Sequence, residues 1–301
     1  MNKRFIKAGK CLRGIFIMVT VQTAASMVAQ QVPTQTGPLQ RKYVEGAVSH
    51  YVMTGDNDDW RYTVQATDVV KRDASGRFYE EIGWSGLTSN AKQTMTPESL
   101  ALRQTVSLDD PGSYMKVPNL AGVQPLLIGP MTDTLTFYSD LLLAEQAKLV
   151  QTGQTAYISH TTPNSWADGQ RVVLGQDVVD FSLKVEAVNP AEHTETILIQ
   201  HVPPAALHVQ LPARWMQAGP ATKPHNFVQV SKQEDGFVAE TGTETFDVKL
   251  VVDMRDGHML SATMRNPVSL TIRKCTDPEL EHCGPATPKT TLREVTWKQL
   301  P

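Results

Sequence analysis

The chain has little of what catalysis and metal binding draw on. It contains three cysteines. Cys11 lies among basic residues ahead of an apolar run, which leaves Cys275 and Cys283 in the stretch Cys275-Thr-Asp-Pro-Glu-Leu-Glu-His-Cys283. Adjacent His282 and Cys283 do not have a zinc-ligand spacing. The pair reads as a disulfide closing a short loop, as expected of a chain folded in an oxidising compartment. The eight histidines are scattered, with no two at helical ligand spacing. No Gly-x-Ser-x-Gly elbow, phosphate-binding loop or His-Glu-x-x-His signature occurs, which removes the classes those motifs mark. No metal and no cofactor is expected. Basic charge is short as well: the net charge is −3. That excludes the basic footprint of a nucleic-acid binder and the polybasic patch that holds a protein on anionic lipid.

What is present begins with residues 1–29, which have the layout of an export signal. Lys3, Arg4, Lys7, Lys10 and Arg13 precede an apolar run from Ile15 to Val21, which relaxes into Ala24, Ala25, Ser26 and Ala29. A basic head, a short apolar segment and small residues near a cut site are what the export machinery reads. The run is interrupted by Gln22 and Thr23 and is too short to span a bilayer. No transmembrane segment is expected in the mature chain, and its expected location is the periplasm or cell envelope. Cys11 precedes the apolar run, the wrong side for a lipid-modified cysteine. Residues 30–42, rich in Pro, Gln and Thr, read as a flexible lead-in.

From Tyr43 onward two-residue alternation dominates. Val44, Gly46, Val48, His50 and Val52 share one strand face, and Val179, Phe181, Leu183 and Val185 alternate with Asp180, Ser182, Lys184 and Glu186. One apolar and one wet face describes an antiparallel sheet covered on one side. A four-strand meander is expected over 43–108, with Leu100, Leu102, Val106 and Leu108 in its last strand. Further strands are expected near 227–230, 237–240, 246–254, 259–264, 269–273 and 292–300. Asp256-Gly257 is a hairpin signal. The exception lies after Gly129-Pro130. Leu135, Tyr138, Leu141, Leu142 and Leu149 recur at helical spacing behind a Thr132-Asp133 cap, giving one helix over about 132–148. The fold class is therefore mainly β: a large curved antiparallel sheet, half-barrel or sandwich, with that helix packed on it. The strands over 43–301 form one domain or two similar lobes, 43–128 and 150–301, joined by the helix. Tyr62–Trp84 and Phe246–Arg265 echo one another in order, as hairpins do by chance.

Candidate chemistry is sparse. Asp56-Asn-Asp-Asp59 lacks the internal glycine and spaced ligands of a calcium loop and reads as a solvated turn. Glu80 and Glu81 point to opposite faces of one strand and do not form a catalytic pair. Ser165 and Asp168, with His160 nearby in sequence, are the residues an unrecognised hydrolase would use. A concave sheet with a helix on it makes a natural apolar site. Its candidate lining residues are Trp84, Phe137, Tyr138, Leu141, Phe181 and Trp215. The leading expectation is a non-catalytic envelope protein that binds an apolar or amphipathic ligand such as a lipid. The alternatives are a structural or protein-interaction module with a filled interior, and the hydrolase; the protein partner is open.

The stretches Leu127–Leu141, Pro163–Gly169 and Asp256–Val268 resemble a family of uncharacterised exported bacterial proteins of acidobacterial type. In layout the chain is also similar to periplasmic lipoprotein carriers of the LolA/LppX type. That second resemblance implies a curved sheet wrapped around helices and a ligand with acyl chains.

Overall fold

The order in which the alternating stretches pair dictates where the long helix must run. In the computed structural model, residues 38–301 are described apart from 59, 91, 94, 108–119, 121, 162–165, 168–170, 176–177 and 203–225. The first meander is β1 (Val48–Asp56), β2 (Arg61–Arg72) and β3 (Phe78–Ser89), with β4 (Lys92–Gln93) and β5 (Arg103–Ser107) both on the far side of β3. Helix α1 (Pro97–Ala101) precedes β5, capped by the Thr96 hydroxyl, which accepts from the Ser99 N–H at 3.3 Å. Leu100, expected in a strand, lies in this helix because the cap and Pro97 nucleate a turn there.

Helix α2 (Pro125–Ala147) follows. The chain then runs through β6 (Thr155–Thr161), β7 (Trp166–Ala167), β8 (Arg171–Gly175), β9 (Val178–Asn189) and β10 (Thr194–Val202). It ends with β11 (Phe227–Gln233), β12 (Gly236–Glu244), β13 (Phe246–Asp253), β14 (Met259–Cys275) and β15 (Thr287–Gln299). Every pairing is antiparallel. The first meander walks from β1 out to β5. The second starts at β6, at the opposite end, and returns through β9, β10, β13 and β14 to β15, which pairs with β1. The chain must therefore cross from one end of the sheet to the other between β5 and β6. The 23 residues of α2 make that crossing, a span of roughly 34 Å at about 1.5 Å per residue.

α2 packs against β5, β6 and β13, so the sheet curls around it without closing into a barrel. The helix is longer than its periodicity suggests and is buried on more than one stripe. Leu141, Leu142 and Leu143 are all buried in succession, and three consecutive helical residues cover roughly 200° of the circumference. Pro130 sits inside the helix, and Thr132 and Thr134 donate their hydroxyls to the carbonyls of the preceding turn at 2.9–3.0 Å. Gly129-Pro130 is thus part of the helix, not its boundary.

β12 and β13 form one line opposite β14. Glu244 faces Val268 and Asp247 faces Arg265 in the same register, with only Thr245 between the strands. β14 is a single strand through Pro267, where two were expected. Its first half belongs to the curled sheet, while its second half pairs with β12 and carries β11, β8 and β7 beyond it. This outer extension, the arm, has a small core of Val228, Ala239, Cys275 and Leu280. The expected disulfide Cys275–Cys283 closes its tip.

Residues 38–47 are held down, unlike a flexible lead-in. Leu39 is buried, the Lys42 N–H donates to the Asp256 carbonyl at 2.8 Å, and the Gly46 N–H donates to Val70 at 2.8 Å. Gly257, at φ +71°, makes room: a Cβ there would lie 2.8 Å from the Arg41 Cα.

Candidate functional site

Two polar clusters interrupt the apolar interior, both against α2. The first grows from strand alternation. Glu81 faces outward and pairs with Lys71 at 2.7 Å. Its neighbour Glu80 faces inward, as does Asp68 on β2, and both are buried. The strap of residues 38–47 drops Arg41 onto them. Its side chain is 4% exposed and its Nη2 lies 3.3 Å from Glu80 Oε1. The Arg41 backbone N–H donates to Glu145 on α2 at 2.6 Å, and its guanidinium lies over the rings of Tyr43 and Tyr138. Tyr138 donates to Asp68 at 3.2 Å, and the Tyr51 hydroxyl meets His258 Nε2 at 2.8 Å. Trp297 stacks on Tyr51 and meets Trp84 edge-on.

Burial sets the electrostatics of this cluster. It raises Asp68, with the charge of Glu80 adding to it, to about 8 against the Tyr138 hydrogen bond. Burial lowers His258 and lifts Tyr51 and Tyr138 well above the usual phenol range. Burial by itself pulls Arg41 down, yet Tyr43, Glu80, Tyr138 and Glu145 hold it charged and raise it overall. Several polar atoms find no protein partner among the described residues: Arg41 Nε and Nη1, Glu80 Oε2, and the indole N–H groups of Trp84 and Trp297. Native interiors pair nearly all such groups, and each one left over costs about 1–3 kcal/mol.

The second cluster lies where the arm leaves the curled sheet. Asp133 on α2 accepts from Tyr62 at 3.2 Å and pairs with Arg293 at 3.0 Å. The Tyr62 ring lies flat on Gly55, where a Cβ would come within 2.1 Å. Arg293 also donates to Asn266 at 3.2 Å, and Asn266 donates to the Thr245 carbonyl at 2.8 Å, which fixes the bend. Asp140, one face further along α2, meets His201 Nε2 at 3.0 Å, between the rings of Phe181 and Phe246. Burial raises Asp133 and Glu244. Among the described residues no hydroxyl or thiol bonds to His201, so an acid orients a base with no nucleophile beside it.

Of the expected lining residues, Trp84 and Tyr138 meet in the first cluster. Phe137 and Leu141 are fully buried on α2, and Phe181 packs at the second cluster beside His201. Trp215, Ser165 and Asp168 lie outside the described residues. Sequence reading missed Arg41, Asp68, Glu80 and Trp297. One signal was available: Asp68 stands on the apolar side of the alternation Val64, Ala66, Asp68, Val70.

A polar groove of about 430 Å³ crosses the outer face, lined in part by Asp247, Lys249, Arg265 and Glu294. Among the described residues no helix is long and apolar enough to cross a membrane. None of their His, Cys, Asp and Glu side chains group so as to hold a metal ion. Site and fold together define an open, helix-filled antiparallel sheet with a polar interior. Against known proteins, no family model and no curated protein matches the chain.

Proposed function

We propose that this is an exported, non-catalytic envelope protein that binds an amphipathic ligand in the space α2 occupies. The observation that carries this reading is the set of unpaired polar groups around Arg41, Glu80, Trp84 and Trp297, deep in an interior that is otherwise apolar. A purely structural core gains nothing from them, since apolar residues of similar volume serve at least as well there. A ligand with a polar head and an apolar body supplies both kinds of contact. α2 is held partly by side-chain bonds through Asp133, Tyr138, Asp140 and Glu145. Such polar attachments break and reform with less net cost than the same area of apolar packing. The layout resemblance to LolA/LppX-type carriers agrees with this reading. A scaffold with a permanently filled interior is the second reading, favoured by the complete burial of Phe137 and Leu141.

Native mass spectrometry of the protein purified from envelope extracts separates the two. A co-purifying amphiphile of defined mass is the expected result. Ligand-free protein that also takes up no added single-chain amphiphile overturns the binding reading and leaves the scaffold.

A further inference from the structure

From the geometry of the first cluster we infer that Arg41 is a receptor for an anionic head group, carboxylate or phosphate, on a single-chain amphiphile, with Glu80 holding its place in the unliganded protein. The inference rests on the binding reading above and adds the class of ligand.

Arginine recognises carboxylates and phosphates through two parallel N–H bonds from one edge of its plane. Glu80 takes only one contact, at Nη2 and 3.3 Å, with both side chains buried to 4% and 2% exposure. That leaves Nε on one edge and Nη1 on the other without a protein partner among the described residues. An incoming anion therefore finds an unused N–H beside Nη2 whichever edge it approaches. The surroundings are rich in donors: the Trp84 and Trp297 indole N–H groups are also unpaired. The flanking Tyr43 and Tyr138 rings, 4.9 and 5.6 Å from the guanidinium carbon, fix its plane and give the first carbons of an alkyl chain an apolar wall.

Leu141 and Phe137 continue that wall along α2, so a chain lying where the helix now lies has its head at Arg41. A cationic head would face the buried guanidinium and be rejected, and a neutral head would leave its N–H groups unpaired. Replacing Glu80 by the neutral amide removes the internal competitor, and only a ligand anion then balances Arg41.

The test measures displacement of the neutral fluorophore N-phenyl-1-naphthylamine from the mature, disulfide-bonded protein. The competitors are laurate, dodecyl phosphate, dodecyl maltoside and dodecyltrimethylammonium. Laurate or dodecyl phosphate is expected to bind at least about tenfold more tightly than the other two, the scale of a charge-assisted pair. Whichever is tighter identifies the head as carboxylate or phosphate. Glu80→Gln is expected to tighten the anion roughly threefold or more, while leaving the maltoside unchanged. Arg41→Met is expected to abolish the preference; circular dichroism shows whether it folds, and Glu80→Gln decides the matter where it does not. Equal affinity for all four heads, or a Glu80→Gln variant that binds the anion no better, overturns the role of Arg41 and leaves the binding reading standing. Failure of the fluorophore and of every amphiphile to bind overturns both.

Discussion

The long strands of this sheet lead two lives. Below the bend at Thr245 and Asn266, β13, β14 and β15 wrap a helix and bury Val248, Leu250, Met264, Val295 and Trp297. Above it, the same strand lines continue into the arm, where burial shrinks to Val228, Ala239, Cys275 and Leu280. The curled half has a helix to close over, and the arm has a disulfide instead. A small sheet that lacks a second layer needs such a staple. The lesson is that strand propensity extends both halves equally, whereas stability follows what each half is packed against.

The largest expected effect sharpens that contrast. Leu141→Ala empties part of the fully buried helix face and should cost about 3 kcal/mol by urea unfolding, within the range for buried leucines. Val228→Ala in the arm should cost about 1 kcal/mol, because fewer neighbours surround it. Equal losses at the two positions would erase the distinction.

Next comes the cross-link. Replacing Cys275 and Cys283 by serine frees a loop with a sequence separation of 8 and should cost about 2.5 kcal/mol on a chain-entropy argument. Hydrogen exchange should rise in β11, β12 and the second half of β14 and stay unchanged in α2 and β13. Exchange that rises everywhere would mean the arm and the curled half unfold as one.

A pH titration tests the curled half by itself. Burial raises Asp68 to about 8 and Glu195 to about 7. Each keeps in the folded state a proton that the unfolded chain releases at the ordinary carboxylate value. Their contribution is complete below that value and is lost as pH rises toward 7 and 8. His258, lowered by burial, works in the opposite sense and withdraws stability below its ordinary value of 6.5. Two acids against one base leave the melting temperature higher at about pH 5.5 than at about pH 8.5, as differential scanning calorimetry can show. Asp68→Asn should flatten the slope. The smallest effect belongs to the surface: Arg61→Ala breaks an exposed pair with Asp56 and should change stability by less than about 0.5 kcal/mol.

Much of the architecture is legible in the residues. Alternation marks nearly every strand, Asp256-Gly257 marks the β13–β14 turn, and the spacing of Leu135, Tyr138, Leu141 and Leu142 marks the helix. The helix start is hidden because Pro130 reads as a breaker, while Thr132 and Thr134 hydroxyls take up freed carbonyls of that turn. The bend is hidden because Asn266-Pro267 looks like a loop until Thr245 and Arg293 are known to face it. The first cluster is hidden because its members come together from far apart in the chain: Tyr51 and His258 are 207 residues apart. Only Asp68, a lone acid on an apolar face, and buried Glu80, on the face opposite Glu81, carry a local sign of it.

The central claim is that α2 is the interior of this protein and gives way to ligand. Hydrogen exchange of residues 125–147, with and without saturating laurate, addresses it directly. The account predicts that α2 is protected as strongly as β13 in the free protein and loses protection when laurate binds, while β13–β15 keep theirs. Bound laurate with α2 protection unchanged would contradict it, as would a helix that exchanges like a surface loop before any ligand is added.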